Sequence, residues 1–137
     1  DPADGAPRPL LAVLDARRGE AFAAAWRDGA AARAADPAAG ALLAPAALAP
    51  DALAAAVRAL PGPPLAVGDG ALRFRMQLEA AGALVPADDS PAHRIDAAAH
   101  CRLAAAMEPP ARDDVLPAYL RLPDAELALR RRTADTP

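Results

Sequence analysis

Alanine dominates the apolar residues of this chain, and that constrains the kind of core the chain can build. Hydrophobic residues make up 54% of the 137 residues, mostly as alanine, whereas aromatic residues make up only 3%. Because an alanine side chain buries little area, the few Leu and Val residues must supply most of the hydrophobic stabilisation. We therefore expect a single small domain with a thin core, as is usual at this length.

The charge and cysteine content limit which partners the protein can bind and in which cellular compartment it can reside. The formal net charge is -3, and all fifteen basic residues are arginine. Binding to a nucleic acid requires a clustered positive face, so binding by this chain alone is disfavoured. No apolar run reaches the roughly 20 residues of a membrane helix, and the start has no signal segment. The single cysteine, Cys101, fits a reducing compartment, so we predict a cytoplasmic protein without membrane contact.

The first residues have the composition of a linker. Residues 1–9 contain Pro, Gly and Asp, do not begin with Met, and lead directly into an apolar segment. Such a composition is typical of a connection between domains. We expect a linker over 1–9, an α/β domain over 10–126 and a flexible tail over 127–137, within a longer protein.

A β-hairpin is predicted at the start of the domain. An apolar run over 10–14 precedes the loop 15–20 and a second apolar run that begins at Ala21 and extends to Gly29. Gly19 can adopt the positive φ that such a loop requires. Phe22 and Trp26 fall on one face at a period of two, which predicts that both rings pack on the core.

Helices and short strands alternate after the hairpin. Apolar residues at helical spacing and Pro or Gly breaks predict each element. The predicted strands are 42–43, 65–67 and 84–85, the predicted helices are 52–60, 72–81 and 95–107, and 116–121 is predicted to be extended. A strand, a glycine turn and a helix in succession indicate a parallel crossover, so the predicted fold class is α/β.

The segment Gly68-Asp69-Gly70 has two interpretations. A glycine turn between a strand and a helix can hold a phosphate on backbone amides. However, the segment lacks the third glycine of a dinucleotide site and the Lys-Ser/Thr of a P-loop. We favour a tight turn in which Asp69 caps the following helix.

His93, His100 and Cys101 are the residues most able to bind a metal. The two histidines are seven residues apart, and the chain contains no other His or Cys to complete a tetrahedral site. We predict surface or capping histidines and a small buried thiol. Cys101 and His100 are adjacent on a helix and point in different directions, which disfavours a nucleophile pair.

The remaining charged clusters also favour structural roles. Asp88, Asp89 and Ser90 precede a helix and are predicted to cap it in contact with solvent. The run over 130–132 is three arginines, which is typical of a solvated tail. The sequence thus predicts no catalytic residue, no cofactor-binding residue and no metal ligand.

Three segments together resemble one family. They contain Asp-Ala-Arg-x-Gly-Glu over 15–20, Gly-Asp-Gly over 68–70 and Tyr-Leu-Arg-x-Pro-Asp-Ala-Glu over 119–126. In this order they are similar to the C-terminal half of TsaB, also called YeaZ. The resemblance covers residues 10–126.

The resemblance implies both a fold and a function. TsaB is the dimerisation subunit of the bacterial complex that adds threonylcarbamoyl to the adenosine beside the anticodon of tRNA. Its C-terminal half is one ribonuclease-H-like half of an actin-like ATPase or sugar-kinase fold. The family resembles the glycoprotease-type subunit TsaD but is regarded as having lost the catalytic metal site, so a non-enzymatic scaffold is implied.

The same resemblance implies a set of partners. They are the family's N-terminal domain, a TsaD-like catalytic subunit and a TsaE-like ATPase, with tRNA contacted only indirectly; a homodimer stays open. Two alternatives also stay open. One is a glycoprotease-like, metal-dependent hydrolase with His93, His100 or Asp69 at the metal, and the other is a module that only self-associates through apolar surface.

Overall fold

The computed structural model describes residues 8–33 and 40–105, together with Pro117, Tyr119, Leu120, Arg121 and Glu126. These residues form a four-stranded mixed sheet and five helices, which confirms the α/β class. The predicted tail 127–137 and residues 1–7 of the predicted linker lie outside the described residues. Each helix in the described part is too short or too polar to cross a membrane.

The elements alternate along the chain as the sequence predicts. The strands are β1 (Leu10–Asp15), β2 (Ala21–Trp26), β3 (Ala41–Leu48) and β4 (Leu65–Val67). The helices are α1 (Gly29–Ala32), α2 (Pro50–Ala59), α3 (Asp69–Arg73), α4 (Arg75–Ala80) and α5 (Ala97–Ala105), with a 3₁₀ turn at Pro91–His93.

The sheet has the order β3-β2-β1-β4. β1 pairs antiparallel with β2, and β2 pairs antiparallel with β3, so the predicted hairpin and the third strand are confirmed. β4 is parallel to β1, and Leu65 forms one parallel bridge with Leu84 beyond α3 and α4. The parallel crossover is therefore present, but the predicted strand 84–85 is reduced to one bridging residue.

The core lies on one face of the sheet, and alanines rather than rings line it. Ala21, Ala23 and Ala25 of β2 are 3% exposed or less and belong to the core cluster, while Phe22 and Trp26 are only half-buried. Our prediction that both rings pack on this core is wrong. Because side chains alternate along a strand, burying the alanines places both rings on the opposite face.

Helices α2, α3 and α4 cover the core above these alanines. Small strand residues leave room for larger side chains, which supply the buried apolar area together with Leu11 and Val13 of β1. These larger side chains are Leu53 and Val57 of α2, Phe74 at the junction of α3 and α4, and Leu78 of α4, all 5% exposed or less. The predicted dependence of the core on Leu and Val is consistent with this packing.

The boundaries of several elements differ from the prediction. β2 ends at Trp26 instead of Gly29, because Asp28 Oδ1 accepts hydrogen bonds from the amides of Ala30 and Ala31, both at 2.8 Å, and so begins α1. The predicted helix 72–81 is divided at Phe74, which has φ -105° and ψ 22°.

The last helix is shorter and less buried than predicted. α5 begins at Ala97, and none of its residues is buried. Ile95, predicted on its apolar stripe, precedes the helix and is 74% exposed. Residues 106 and 107 of the predicted helix lie outside the described residues, as do Leu116 and Ala118 of the predicted extended segment.

Candidate functional site

The three segments that carry the family resemblance meet at one corner of the domain. We call this region the hairpin corner and define it as residues 15–20, 68–70, Arg73 and Arg121. The carboxyl ends of the parallel strands β1 and β4 both lead into it. Crevices at the carboxyl ends of parallel strands are the usual positions of functional sites in α/β folds.

A tight left-handed loop forms the outer part of this corner. Arg17, Arg18 and Gly19 have φ values of 63°, 54° and 81°, so the predicted positive φ at Gly19 is confirmed. Asp15 Oδ1 accepts a hydrogen bond from the Arg17 amide at 2.8 Å. The Ala16 amide donates to the Glu20 carbonyl at 3.0 Å and closes the loop. Two consecutive non-glycine residues in this region are uncommon.

The Gly68-Asp69-Gly70 turn packs against the backbone of β1. Gly68 has a φ of 105°, and a Cβ atom there would collide with the Val13 carbonyl oxygen. A Cβ atom on Gly70 would lie 2.6 Å from the Leu14 carbonyl carbon. Both glycines are therefore required by the close approach of two backbones, which agrees with the tight turn that we favoured over a phosphate site.

Asp69 does not cap α3 as predicted. The N-cap residue of α3 is Gly68, and no side chain caps that helix. Instead, Asp69 Oδ1 accepts a hydrogen bond from the Asp15 amide at 3.1 Å. This bond connects the last residue of β1 to the turn.

The Asp15 carboxylate forms ion pairs with two arginines of the hairpin corner. Its carboxylate lies 3.1 Å from Arg73 Nη1 and 3.8 Å from Arg17 Nη1, and its side chain is 11% exposed. The hydrogen bond from the Arg17 amide lowers the pKa of Asp15, and the charges of Arg73 and Arg17 lower it further against the opposing effect of desolvation. Asp15 is therefore held as a carboxylate that orders its neighbours.

Arg121 brings the third segment to the loop. Its Nη1 atom donates to the Ala16 carbonyl oxygen at 3.2 Å and to Glu20 Oε2 at 3.1 Å. The side chains of Arg121 and Glu20 are 29% and 35% exposed. The polar groups described at the corner thus contact one another, which is an arrangement suited to holding the loop in one shape.

The candidate metal ligands do not come together. His93 is 6% exposed, so the prediction of a surface or capping histidine is wrong for this residue. Its Nδ1 atom lies 3.0 Å from the Gly68 carbonyl oxygen, and its Nε2 atom lies 3.2 Å from that of Pro86. Among the described residues, no group of three His, Cys, Asp or Glu side chains is placed to bind a metal ion.

The other two candidates lie on α5. His100 is exposed as predicted, and its Nδ1 atom is 3.0 Å from the Asp96 carbonyl oxygen. Cys101 is an exposed free thiol, which corrects the expectation of a buried one. None of the residues of α5 is buried, so its cysteine remains exposed to solvent.

The Asp88-Asp89-Ser90 loop is held by Arg75, a residue that no sequence motif marks. Arg75 donates to Asp88 Oδ1 and the Pro86 carbonyl oxygen, both at 2.6 Å, and to Glu79 Oε1 at 2.9 Å. The Ser90 hydroxyl accepts a hydrogen bond from the Ala92 amide at 3.3 Å, as predicted for a cap. The loop thus has a structural role, and the run 130–132 lies outside the described residues.

Comparisons with known proteins add no family assignment. No protein-family model matches the chain, and no curated protein matches it. A function for this chain therefore has to be inferred from the three segments and from the contacts that connect them.

Proposed function

We propose that this chain is the C-terminal scaffold domain of a TsaB-like subunit in the complex that adds threonylcarbamoyl to tRNA. One observation carries the proposal: the three segments that resemble TsaB, far apart in sequence, are joined at the hairpin corner. Asp15 bonds to Asp69, and Arg121 bonds to Glu20 and Ala16. A shared set of contacts is a physical reason for such segments to occur together in one family.

The strand arrangement supports the ribonuclease-H-like part of this proposal. The resemblance implies a ribonuclease-H-like half that begins with a β-hairpin and continues with alternating helices and short strands. Here β1, β2 and β3 are antiparallel neighbours, β4 is parallel to β1, and Leu84 bridges β4 in parallel.

The proposed role is positioning rather than chemistry. Asp15 is occupied by the Arg17 amide and by Arg73, and Glu20 is occupied by Arg121. Groups that are bonded to one another hold a surface in a fixed shape, and a fixed surface loses less entropy when a partner binds. The scaffold acts in a complex with a TsaD-like catalytic subunit and a TsaE-like ATPase, and it contacts tRNA only through them.

A binding experiment tests this proposal. The product of the complete reading frame is mixed with a TsaD-type catalytic subunit and analysed by sedimentation velocity at micromolar concentration. We expect a stoichiometric complex that Arg58→Ala, a change of an exposed arginine on α2, leaves intact. Sedimentation of the two proteins as separate species would refute the proposal, and self-association without complex formation would favour the self-association module.

A further inference from the structure

The second face of the sheet carries a groove that the core does not fill. α5 lies over this face without a buried residue of its own. Between α5 and the start of β1 is a cavity of about 550 Å³, and a second cavity of about 250 Å³ adjoins it at Ala99 and Leu103. A volume of this size falls within the range of small-molecule sites, about 300–1,000 Å³.

The groove has an apolar floor and a positive rim. The larger cavity is lined by Leu10, Ala32, Ala99 and Leu103 together with Arg33 and Arg102, and none of the described residues that line it is acidic. The smaller cavity continues the apolar lining through Leu14, Val67 and Ile95, and its polar lining includes Arg94 and also Asp96, the partner of Arg102.

The two arginines differ in their partners. Arg102 Nη2 contacts Asp96 Oδ2 at 3.3 Å, in a pair whose side chains are 71% and 57% exposed. Arg33 is exposed and has no ion-pair partner within the described part of the chain. A guanidinium in this position can form charge-assisted hydrogen bonds with a carboxylate or phosphate that enters the groove.

From these features we infer that the groove binds an amphiphile with one alkyl chain and an anionic head. The alkyl chain lies along the apolar floor, where it removes the Leu10 and Leu103 side chains from water. The head lies at the rim beside Arg33. The inference goes beyond the proposed function and does not depend on it.

An alkyl chain fits this groove better than an extended peptide does. β1 is hydrogen-bonded on both sides, to β2 and β4, so the floor offers no backbone partner to an extended peptide. An alkyl chain needs no such partner, and it can extend from one cavity into the other because Ala99 and Leu103 line both.

The only tryptophan of the chain can report binding. Trp26 lies directly opposite Leu10 in the β1–β2 pair, and directly opposed residues share a face of the sheet. We expect dodecanoate, added below its micelle-forming concentration, to change the Trp26 fluorescence and to bind at one molecule per chain by isothermal titration calorimetry.

Matched substitutions test the contribution of the anionic head and that of the alkyl chain separately. We expect Arg33→Glu to weaken dodecanoate binding by about tenfold, because it reverses the charge next to the anionic head. Arg58→Glu, on α2, is the matched control and leaves the affinity unchanged. Ala99→Leu fills the junction of the two cavities and also weakens binding, while dodecyltrimethylammonium, with the same chain and a cationic head, binds more weakly than dodecanoate.

Three results would overturn the inference. They are absence of dodecanoate binding below the micelle-forming concentration, equal affinity for the anionic and cationic amphiphiles, and equal affinity of the Arg33→Glu and Arg58→Glu variants. A change in Trp26 fluorescence that accompanies dimerisation without bound dodecanoate would also overturn it, since a second copy of the chain would then occupy the groove. Arg33 is exposed, so loss of folding does not complicate the comparison.

Discussion

Arg121 Nη1 lies 3.1 Å from Glu20 Oε2, although 101 residues separate the two in the sequence. The same Nη1 atom donates to the Ala16 carbonyl oxygen, so Arg121 contacts the hairpin loop at both of its ends. The ion pair therefore attaches the C-terminal part of the domain to its first hairpin.

We predict that this ion pair makes a small but measurable contribution to stability. Arg121→Ala should lower the free energy of unfolding by about 1 kcal/mol, because it removes a partly exposed ion pair and a hydrogen bond. Urea unfolding followed by Trp26 fluorescence provides the measurement. In a double-mutant cycle with Glu20→Ala we expect a coupling of about 0.5 kcal/mol, and a coupling of zero would contradict the pairing.

Gly68 and Gly82 provide a matched test of the close backbone contact. Both have a positive φ, 105° and 98°, but only a Cβ atom at Gly68 would collide with a neighbouring atom. Gly82→Ala should cost about 1–2 kcal/mol from its backbone conformation alone. We expect Gly68→Ala to cost more than this by at least about 1 kcal/mol, since the turn must also move away from β1. Equal costs in thermal unfolding would contradict the described packing.

The free energy of unfolding should depend on pH through the ionisation of Asp15. Its pKa is lower in the folded chain than the value of about 3.9 in an unfolded one. The ionised carboxylate therefore stabilises the fold above about pH 4, and this stabilisation is lost as the pH falls through the folded-state pKa. The difference in unfolding free energy between the natural chain and Asp15→Asn should be present at neutral pH and shrink below about pH 4. Asp89→Asn, at an exposed loop position, serves as the control.

His93 and His100 should respond differently to the same substitution. The buried His93 ring lies between the carbonyl oxygens of Gly68 and Pro86, so His93→Ala should cost about 1–3 kcal/mol of stability. His100 is exposed, and its replacement by alanine should change stability by no more than about 0.5 kcal/mol. Thermal unfolding of the two variants checks this, and equal losses would contradict the burial of His93.

The elements that the sequence predicts well are those with a local signal. Proline and glycine breaks and apolar spacing locate β1, β4 and α2, and Gly19 marks the hairpin loop. The errors concern element boundaries and the side of an element that is buried. Nothing in the sequence of β2 indicates that its alanines rather than Phe22 and Trp26 face the helices, because that choice depends on which face the distant helix α2 covers.

In the candidate site, too, local features can be predicted from the sequence and long-range contacts cannot. The glycines of the Gly68-Asp69-Gly70 turn are recognisable from the sequence, but the partner of Asp69 is not, because Asp15 is 54 residues away. A local rule predicts a helix cap for Asp69, and the tertiary contact overrides it. Arg33 and Arg102 carry no sequence signal either, since only the placement of α1 and α5 over one groove brings them together.

The central claim is tested most directly by reconstituting tRNA threonylcarbamoylation. The product of the complete reading frame is added to purified TsaD-type and TsaE-type subunits, tRNA and the threonylcarbamoyl donor, and the modified adenosine is quantified by mass spectrometry. We predict that modification requires this protein and that His100→Ala, at an exposed position on α5, leaves it intact. Modification that proceeds equally well without the protein, or turnover of a substrate by the protein alone, would contradict the account.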